Sequence, residues 1–365
     1  MIVVFAYAFP HRKTHDFLVE LALAGLRDVI VIAAPFQKLG AVDRNTYFRK
    51  PLVTVEPFDT SVLCERLGFK YVEKKHSQVD EVVGIVRECG ASLGIVAGAR
   101  ILKQPIVESF EDGIVNFHPG KIPETSGLDA LFYTIEKDID PGVTTHFIDA
   151  KVDAGHFVSF DVVKVAADDS IEDLQENIYR TQLIALRRFV TDWASNNVQS
   201  YPIDRPYKND PMDCEHKFKL LNRFPIWRST RVLQQCKRQL FEACIEGNEK
   251  ELVSLLKDFP SLIESRTIEG WSPLIVAAFN QQRELVRILL ELGADPNATA
   301  NKGTSVLMYA KTALVNKVDA DYAVLNLLLD AGAKVSHQDV FGKNIFDYVN
   351  EFGDDVLAAY LDGYN

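Results

Sequence analysis

The stretch GWSPLIVAA at residues 270–278, followed by ELVRILLELGADPN at residues 284–297, decides the fold of the C-terminal third. The pattern returns as GTSVLMYA at residues 303–310 and LNLLLDAGA at residues 325–333, and the two copies start 33 residues apart. A period of this length is typical of a supersecondary unit that stacks on its neighbours to bury its apolar face. Residues 239–365 are therefore predicted to form an all-α repeat domain.

This pattern resembles the ankyrin repeat, whose consensus has a turn glycine, a T-P-L-H-x-A helix start and a second helix ending in L-L-L-x-x-G-A-D-x-N. A degenerate first copy at Phe241–Glu269 and a capping copy from Gly342 extend the array to about three and a half units. Gly303 and Gly342 are 39 residues apart, so the third copy carries about six extra residues near Ala313–Asp319. The resemblance implies a domain that contacts a protein partner.

Residues 1–201 alternate β-branched runs with longer amphipathic stretches, as in an α/β domain with a largely parallel sheet. We expect strands at Ile2–Ala6, Val29–Ala33, Leu93–Ala97, Ile114–Phe117, Thr144–Ile148 and Phe157–Val165. We expect helices at His15–Ala24, Thr60–Leu67, Gln78–Cys89, Gly127–Lys137 and Ser170–Trp193. A Rossmann-like sheet of this kind places ligands at the carboxyl ends of its strands.

Residues 202–238 form a connector of different composition. Four prolines are expected to break any helix in it, namely Pro202, Pro206, Pro211 and Pro225. The connector is too aromatic for a free linker, so we expect it to pack on a neighbouring domain or on a second subunit. It has 9 basic and 4 acidic residues, whereas residues 1–201 have 21 and 28, and residues 239–365 have 10 and 19. Two acidic blocks argue against nucleic-acid binding, which needs a broad basic face.

The composition of the whole chain excludes several other classes. Hydrophobic residues at 47% and charged residues at 25% are typical of a folded globular protein. The five cysteines are scattered without a C-x-x-C pair, so we predict neither a disulfide framework nor a metal site. No apolar run approaches the ~18 residues of a membrane span, and we expect a cytoplasmic protein. The dinucleotide fingerprint G-x-G-x-x-G and the P-loop are both absent from the sequence.

The densest group of chemically active residues is NFHPGKIP at residues 116–123, at the end of a predicted strand. It is followed by GVTTH at residues 142–146 and by DAG at residues 153–155. An isolated histidine in a sheet protein is more often structural than functional. The position of the group at a strand end, together with the two later segments, favours a functional site.

These segments together resemble the 10-formyltetrahydrofolate-dependent formyltransferase family, over about residues 1–200. Formyl transfer to an amine needs a hydrogen-bond donor for an oxyanion and a group that moves a proton. On this resemblance the Asn116 amide serves the oxyanion and His118 takes or relays the proton. Asp153 orients His118 or helps directly to deprotonate the amine. Gly120 departs from the family, because many members have serine there.

The resemblance also implies where the folate lies. The pterin is expected between the loop at 98–102 and the turn at 149–153, held largely by backbone groups. The residues carried over for this cofactor site are Arg100, Ile101, Leu102 and Asp149. No metal is implied.

The acceptor amine is less strongly indicated. Acceptors in the family are initiator methionyl-tRNA, a glycinamide ribonucleotide or an amino sugar linked to a nucleotide. The acidic blocks disfavour tRNA. A nucleotide sugar needs cations for its diphosphate and an aromatic face for its base. We expect Lys74, Lys75, Tyr207 and Phe224 to supply them.

The order of catalytic domain, aromatic connector and repeats resembles the sugar N-formyltransferases that end in ankyrin repeats. That resemblance implies dTDP-3-amino-3,6-dideoxy-D-glucose as the acceptor, a homodimer, and a product for O-antigen and lipopolysaccharide biosynthesis. It also allows a second nucleotide-sugar site, for which Trp271 is the candidate stacking residue. The alternatives are a 4-amino nucleotide sugar, another amine, or a non-catalytic ankyrin scaffold.

Overall fold

A computed structural model of the chain describes residues 1–37, 57–99, 101–149, 155–204, 208–315 and 320–364. Its internal contacts divide the chain into two compact units, Met1–Arg231 and Val232–Asn365. The division falls inside the segment that the sequence analysis defines as the connector. Each unit is described by itself below.

The first unit is built on a mixed sheet. Eight strands are present among the described residues: β1 Ile2–Tyr7, β2 Val29–Ala34, β3 Lys70–Glu73, β4 Leu93–Val96, β5 Ile114–His118, β6 Gly142–Phe147, β7 His156–Val162 and β8 Tyr201–Pro202. Their order across the sheet is β3-β2-β1-β4-β5-β6-β7-β8. The strands from β3 to β5 pair in parallel, and those from β5 to β8 pair antiparallel. The predicted α/β architecture is confirmed.

Helices cover this sheet and form the second unit. Those that begin in the first unit are α1 Arg12–Leu23, α2 Thr60–Leu67, α3 Val79–Cys89, α4 Gln104–Val107, α5 Ala130–Glu136, α6 Ile171–Ala194 and α7 Cys214–Glu246. Those of the second unit are α8 Glu249–Asp258, α9 Pro273–Phe279, α10 Arg283–Glu291, α11 Val306–Thr312, α12 Ala323–Asp330, α13 Ile345–Glu351 and α14 Asp355–Asp362. Across the described part of the chain, none of these helices is long and apolar enough to cross a membrane.

The two faces of the sheet carry different cores. On one face, alternate residues of β1, β2 and β5 share a buried cluster with α3 and α4, including Val3, Phe5, Ile30, Ile32 and Ile114. Because side chains alternate along a strand, Tyr7, Asn116 and His118 belong to this same face at the carboxyl edge of the sheet. The opposite face packs against α1 and α6, where Phe117 meets Phe17 and Phe189.

The connector contains a helix that the sequence analysis did not predict. Pro225 lies inside α7, so the expectation that prolines break every helix there is wrong. Leu220, Phe224, Trp227 and Arg231 follow a helical spacing, and each is at most 6% exposed. Burial of this face stabilises the helix enough to offset the hydrogen bond that a proline removes.

The second unit consists of helix pairs, which confirms the predicted all-α repeat domain. Ser272 and Ser305 cap the first helices of the two full copies by accepting hydrogen bonds from the backbone N–H groups of Ile275 and Met308. Ile275 and Met308 stand where the consensus has histidine, and both are buried in the core of this unit. Of the extra residues near 313–319, positions 316–319 lie outside the described residues.

Candidate active site

Strands β5 and β6 bring four polar side chains together at the carboxyl edge of the parallel strands. The antiparallel register pairs Asn116 with His146 and His118 with Thr144. His118, Thr144 and His146 are at most 4% exposed, and Asn116 is half-buried. Since their side chains leave the sheet on one face, the four residues form one polar group next to the apolar cluster of that face.

Asn116 is held by His146. The Nδ2 atom of Asn116 lies 3.3 Å from the Nε2 atom of His146, so the amide donates one hydrogen to the ring. A side-chain amide carries two N–H donors. The second donor therefore has a fixed direction and can serve an oxyanion without any change of charge.

His118 is held by a carbonyl oxygen. Its Nε2 atom lies 3.0 Å from the backbone oxygen of Thr125. A carbonyl can only accept a hydrogen bond, so Nε2 carries the hydrogen. In the neutral ring, Nδ1 is then the basic nitrogen that can take up a proton.

Thr144 fixes the turn that follows β5. Its hydroxyl donates to the carbonyl of Gly120 at 2.6 Å and accepts from the N–H of Ile122 at 3.2 Å. Both contacts are buried, where an unpaired backbone group costs about 1–3 kcal/mol. Thr144 thereby ties β6 to the turn that contains the carbonyl partner of His118.

Gly120 is explained by the tight packing of this turn. A Cβ atom at position 120 would lie 2.1 Å from the Oγ1 atom of Thr125 and 3.0 Å from the Cβ atom of Ala130. The serine found in many members of the resembling family therefore does not fit here unless Thr125 moves. Thr125 is the residue whose carbonyl holds His118, so a shift there reaches the site.

We predict that Gly120→Ala destabilises the protein by about 1–3 kcal/mol, because it overpacks a buried turn. Urea unfolding should detect the change, and turnover should fall with it because the Thr125 carbonyl moves. Gly84→Ala is the matched control, since a Cβ atom there meets nothing within 4 Å. Adding Thr125→Ala should recover part of the loss. A double-mutant cycle without coupling would contradict the packing argument.

His146 is the main site residue to which the sequence analysis assigned no role. The segment GVTTH was recognised, but pairing with Asn116 depends on the register between β5 and β6. The register between β6 and β7 also shifts between Thr145 and His146. Irregularities of this kind occur next to active sites, where they re-aim a side chain. No local pattern in the sequence marks this shift.

The residues predicted for the folate fall into three groups. Arg100 and Asp153 lie outside the described residues. Leu102 is 3% exposed and belongs to the apolar cluster beside α3 and α4, whereas Ile101 is 60% exposed. Asp149 is half-buried and follows the end of β6. A loop anchored by one buried residue and presenting its neighbour suits recognition by backbone groups.

The residues predicted for the acceptor are not brought together. Lys74 lies at the end of β3 and pairs with Glu81 at 2.5 Å, and Lys75 is exposed beside it. Tyr207 lies outside the described residues. Phe224 is 6% exposed and stacks on Trp227 with ring centroids 5.8 Å apart. Its role in this structure is packing of α7, and its ring has no face open to a nucleobase.

Trp271 is half-buried in the second unit. Its ring lies 5.3 Å from that of Phe279 and 4.6 Å from that of Tyr309, measured between centroids. Its backbone N–H donates to the hydroxyl of Thr267. The indole therefore belongs to a small aromatic cluster of neighbouring repeats.

Comparison with known proteins assigns families to two segments of the chain. Residues 27–190 match the formyl transferase family, and residues 240–339 match ankyrin repeats in three copies. The first segment contains the site at Asn116 and His118. The two resemblances inferred from the motifs are confirmed for these segments.

Relatives with related names are known. A trifunctional purine biosynthetic protein adenosine-3 of Gallus gallus is 33% identical over 34% of this chain and 12% of its own length. A phosphoribosylglycinamide formyltransferase of Haemophilus influenzae is 29% identical over 32% of this chain and 56% of its own length. The chain thus spans little more than half of these curated relatives at most.

Among solved structures, a phosphoribosylglycinamide formyltransferase from Streptococcus pneumoniae is 21% identical, with a TM-score of 0.40, over 53% of this chain and 98% of that one. A second, from Anaplasma phagocytophilum, is 18% identical with a TM-score of 0.43, over 57% of this chain and 96% of that one. By its matches, the chain carries a formyl transferase domain at residues 27–190 and ankyrin repeats at residues 240–339.

Proposed function

We propose that the protein is an N-formyltransferase that moves the formyl group of 10-formyltetrahydrofolate to the amine of a nucleotide-linked amino sugar. The observation that carries the proposal is the pair Asn116 and His118 at the end of β5, one held by His146 and the other by Thr125. The pair lies inside the segment that matches the formyl transferase family. Both residues are therefore oriented before any substrate binds, which is what electrostatic catalysis requires.

The chemistry follows from these two orientations. The acceptor amine attacks the formyl carbon, a C–N bond forms, and the carbonyl oxygen becomes an oxyanion. The second N–H of Asn116 stabilises that oxyanion. Nδ1 of His118 accepts the proton that the amine loses and returns it to the departing folate nitrogen as the old C–N bond breaks. Asp153 stays a proposed partner of His118, in the orienting or deprotonating role.

The formyl donor is proposed to lie along the loop after β4 and the turn after β6. Arg100, Ile101, Leu102 and Asp149 are the residues carried forward for it. Leu102 would anchor the loop from the core while its exposed neighbours and backbone groups meet the pterin. The donor supplies the activated formyl group, and the chain supplies position, charge stabilisation and proton transfer.

For the acceptor we propose dTDP-3-amino-3,6-dideoxy-D-glucose, with Lys74, Lys75 and Tyr207 as candidate contacts. A 4-amino nucleotide sugar is the nearest alternative. A second candidate is phosphoribosylglycinamide, because that acceptor appears in the name of the Haemophilus influenzae relative. Transfer to tRNA is disfavoured by the acidic balance of the first 201 residues.

The remaining parts of the proposal concern partners and setting. We propose a homodimer, a cytoplasmic location and a role in O-antigen and lipopolysaccharide assembly. The ankyrin repeats are proposed to bind a protein or a second nucleotide sugar, the latter through Trp271. The competing hypothesis is a scaffold in which the first unit has no activity.

Mass spectrometry of the purified protein with 10-formyltetrahydrofolate tests the proposal. The acceptor panel contains dTDP- and UDP-linked 3-amino and 4-amino dideoxyglucoses and phosphoribosylglycinamide. We expect one added formyl group on the dTDP-linked 3-amino sugar only. Transfer to phosphoribosylglycinamide alone would replace the sugar assignment. Transfer to none, with the folate intact, would favour another amine or the scaffold.

A further inference from the structure

Three aromatic side chains meet at the carboxyl ends of β1 and β2, and we call Tyr7, Phe9 and Phe36 the aromatic edge. The rings of Tyr7 and Phe9 stack with centroids 5.0 Å apart and planes 16° apart. Phe36 meets Phe9 edge to face at 5.6 Å. Phe36 is 74% exposed, so this group presents an aromatic surface to solvent instead of filling a core.

The aromatic edge is fixed by the surrounding backbone. The hydroxyl of Thr60 donates to the carbonyl of Tyr7 at 2.7 Å, which ties the start of α2 to the end of β1. On its other side, the Tyr7 ring lies against Gly98, where a Cβ atom would come within 2.8 Å of a ring carbon. The rings therefore lie directly beside the loop that follows β4.

The turn between β1 and α1 is not built to bind a phosphate. Residues 8–11 read Ala-Phe-Pro-His and contain no glycine. The Nδ1 atom of His11 accepts the N–H of Thr14 at 3.2 Å, so the imidazole occupies the start of α1 where an anion would otherwise bind. Burial, assisted by the nearby Lys13, lowers the pKa of His11 to about 4, so the ring is neutral at physiological pH. This turn offers aromatic rings in place of backbone donors.

The strand order places the aromatic edge at a definite distance from the reacting groups. β1 lies two strands from β5 and β2 lies three, which at ~4.8 Å per strand is about 10 Å and about 14 Å. Tyr7 also belongs to the same sheet face as Asn116 and His118. In a nucleotide sugar, a diphosphate and a ribose separate the amino sugar from the base, a length of the order of two to three strand spacings.

We infer that the aromatic edge is the stacking platform for the base of a nucleoside diphosphate carried by the acceptor, with Phe36 and Phe9 as its contacts. The inference rests on the proposed function and narrows its substrate class. Phosphoribosylglycinamide has a glycinamide where a nucleotide has its base, so it has no use for such a platform. An exposed phenylalanine beside an ordered ring pair is accounted for when a flat ligand covers it.

Isothermal titration calorimetry of the full chain with dTDP and UDP, in the absence of any amine or folate, tests the inference. We expect Phe36→Ala to weaken binding of dTDP roughly 5- to 100-fold, the range for losing one base-stacking contact. Phe36→Trp should restore it, and Phe36→Leu should not. Phe218→Ala is the matched control, because Phe218 is also exposed, at 65%, and lies on α7.

Inorganic pyrophosphate supplies the second arm of the test. Its binding should not change in Phe36→Ala, because it carries no base. Equal dTDP affinity in wild type, Phe36→Ala and Phe9→Ala would overturn the inference, as would a wild type that binds no nucleoside diphosphate. Loss of formyl transfer to every acceptor, with base-dependent dTDP binding intact, would refute the proposed reaction while leaving the platform in place.

Discussion

Replacing Asn116 by alanine is expected to lower kcat by roughly 10²- to 10³-fold, the usual effect of removing one oxyanion donor. The side chain is held by His146 at 3.3 Å, so its second N–H is aimed before the reaction begins. That donor interacts with charge that exists only after the amine has attacked. Substrate affinity should therefore change little, and the loss should fall on kcat and kcat/KM alike. Steady-state kinetics with the best acceptor from the panel measure both constants.

Two comparisons separate this role from a structural one. Asn280→Ala removes a similar amide donor, which in the second unit binds the carbonyl of Val276, and kcat should not change. Folate binding and thermal unfolding of Asn116→Ala should stay close to those of wild type. A variant with near-normal turnover would remove Asn116 from the oxyanion role, whatever its stability.

Continuous apolar strands were the part of the fold most readily predicted from the sequence. Val29–Ala34 is a run of apolar residues buried on both faces, and such runs are typical of central parallel strands. Strand β3 was missed because Lys70–Glu73 is short, with a charged residue at each end and only intermediate burial between them. Short charged strands are common at sheet edges and carry little periodic signal.

The helix α7 was missed for a different reason. Local propensity gives the proline at position 225 a large unfavourable weight. The buried face of Leu220, Phe224 and Trp227 outweighs it, but whether a face is buried depends on contacts distant in sequence. The same limit led to Phe224 being assigned to a nucleotide, since an aromatic residue looks alike in sequence whether it packs or binds.

The candidate site was predictable where its signal was local. Asn116 and His118 alternate on one strand, so a single strand assignment places both on one face. Their holders were not predictable, because His146 reaches Asn116 through strand register and Thr125 reaches His118 through a turn. The aromatic edge was also missed, since Phe36 joins Phe9 only when β1 and β2 lie side by side.

Replacing His118 should cost turnover at least as much as replacing Asn116. General acid–base catalysis by a positioned group contributes about 10²- to 10⁴-fold, and His118→Ala removes all of it. Because the Thr125 carbonyl fixes the hydrogen on Nε2, the basic nitrogen is Nδ1, and a substitute must provide a base at that position. His118→Gln can still donate to Thr125 but has no basic nitrogen, so it should be as inactive as the alanine variant.

Rescue by a small base distinguishes proton transfer from structural support of the turn. Added imidazole should restore part of kcat in His118→Ala, which leaves space for it, and nothing in His118→Gln, where the side chain fills that space. His337→Gln is the control, because His337 likewise donates Nε2 to a carbonyl, that of Gly303 at 2.8 Å, and its kcat should not change. If His118→Gln kept near-normal turnover, the ring would act only by holding the turn through Thr125, and the proton would have to move through another group.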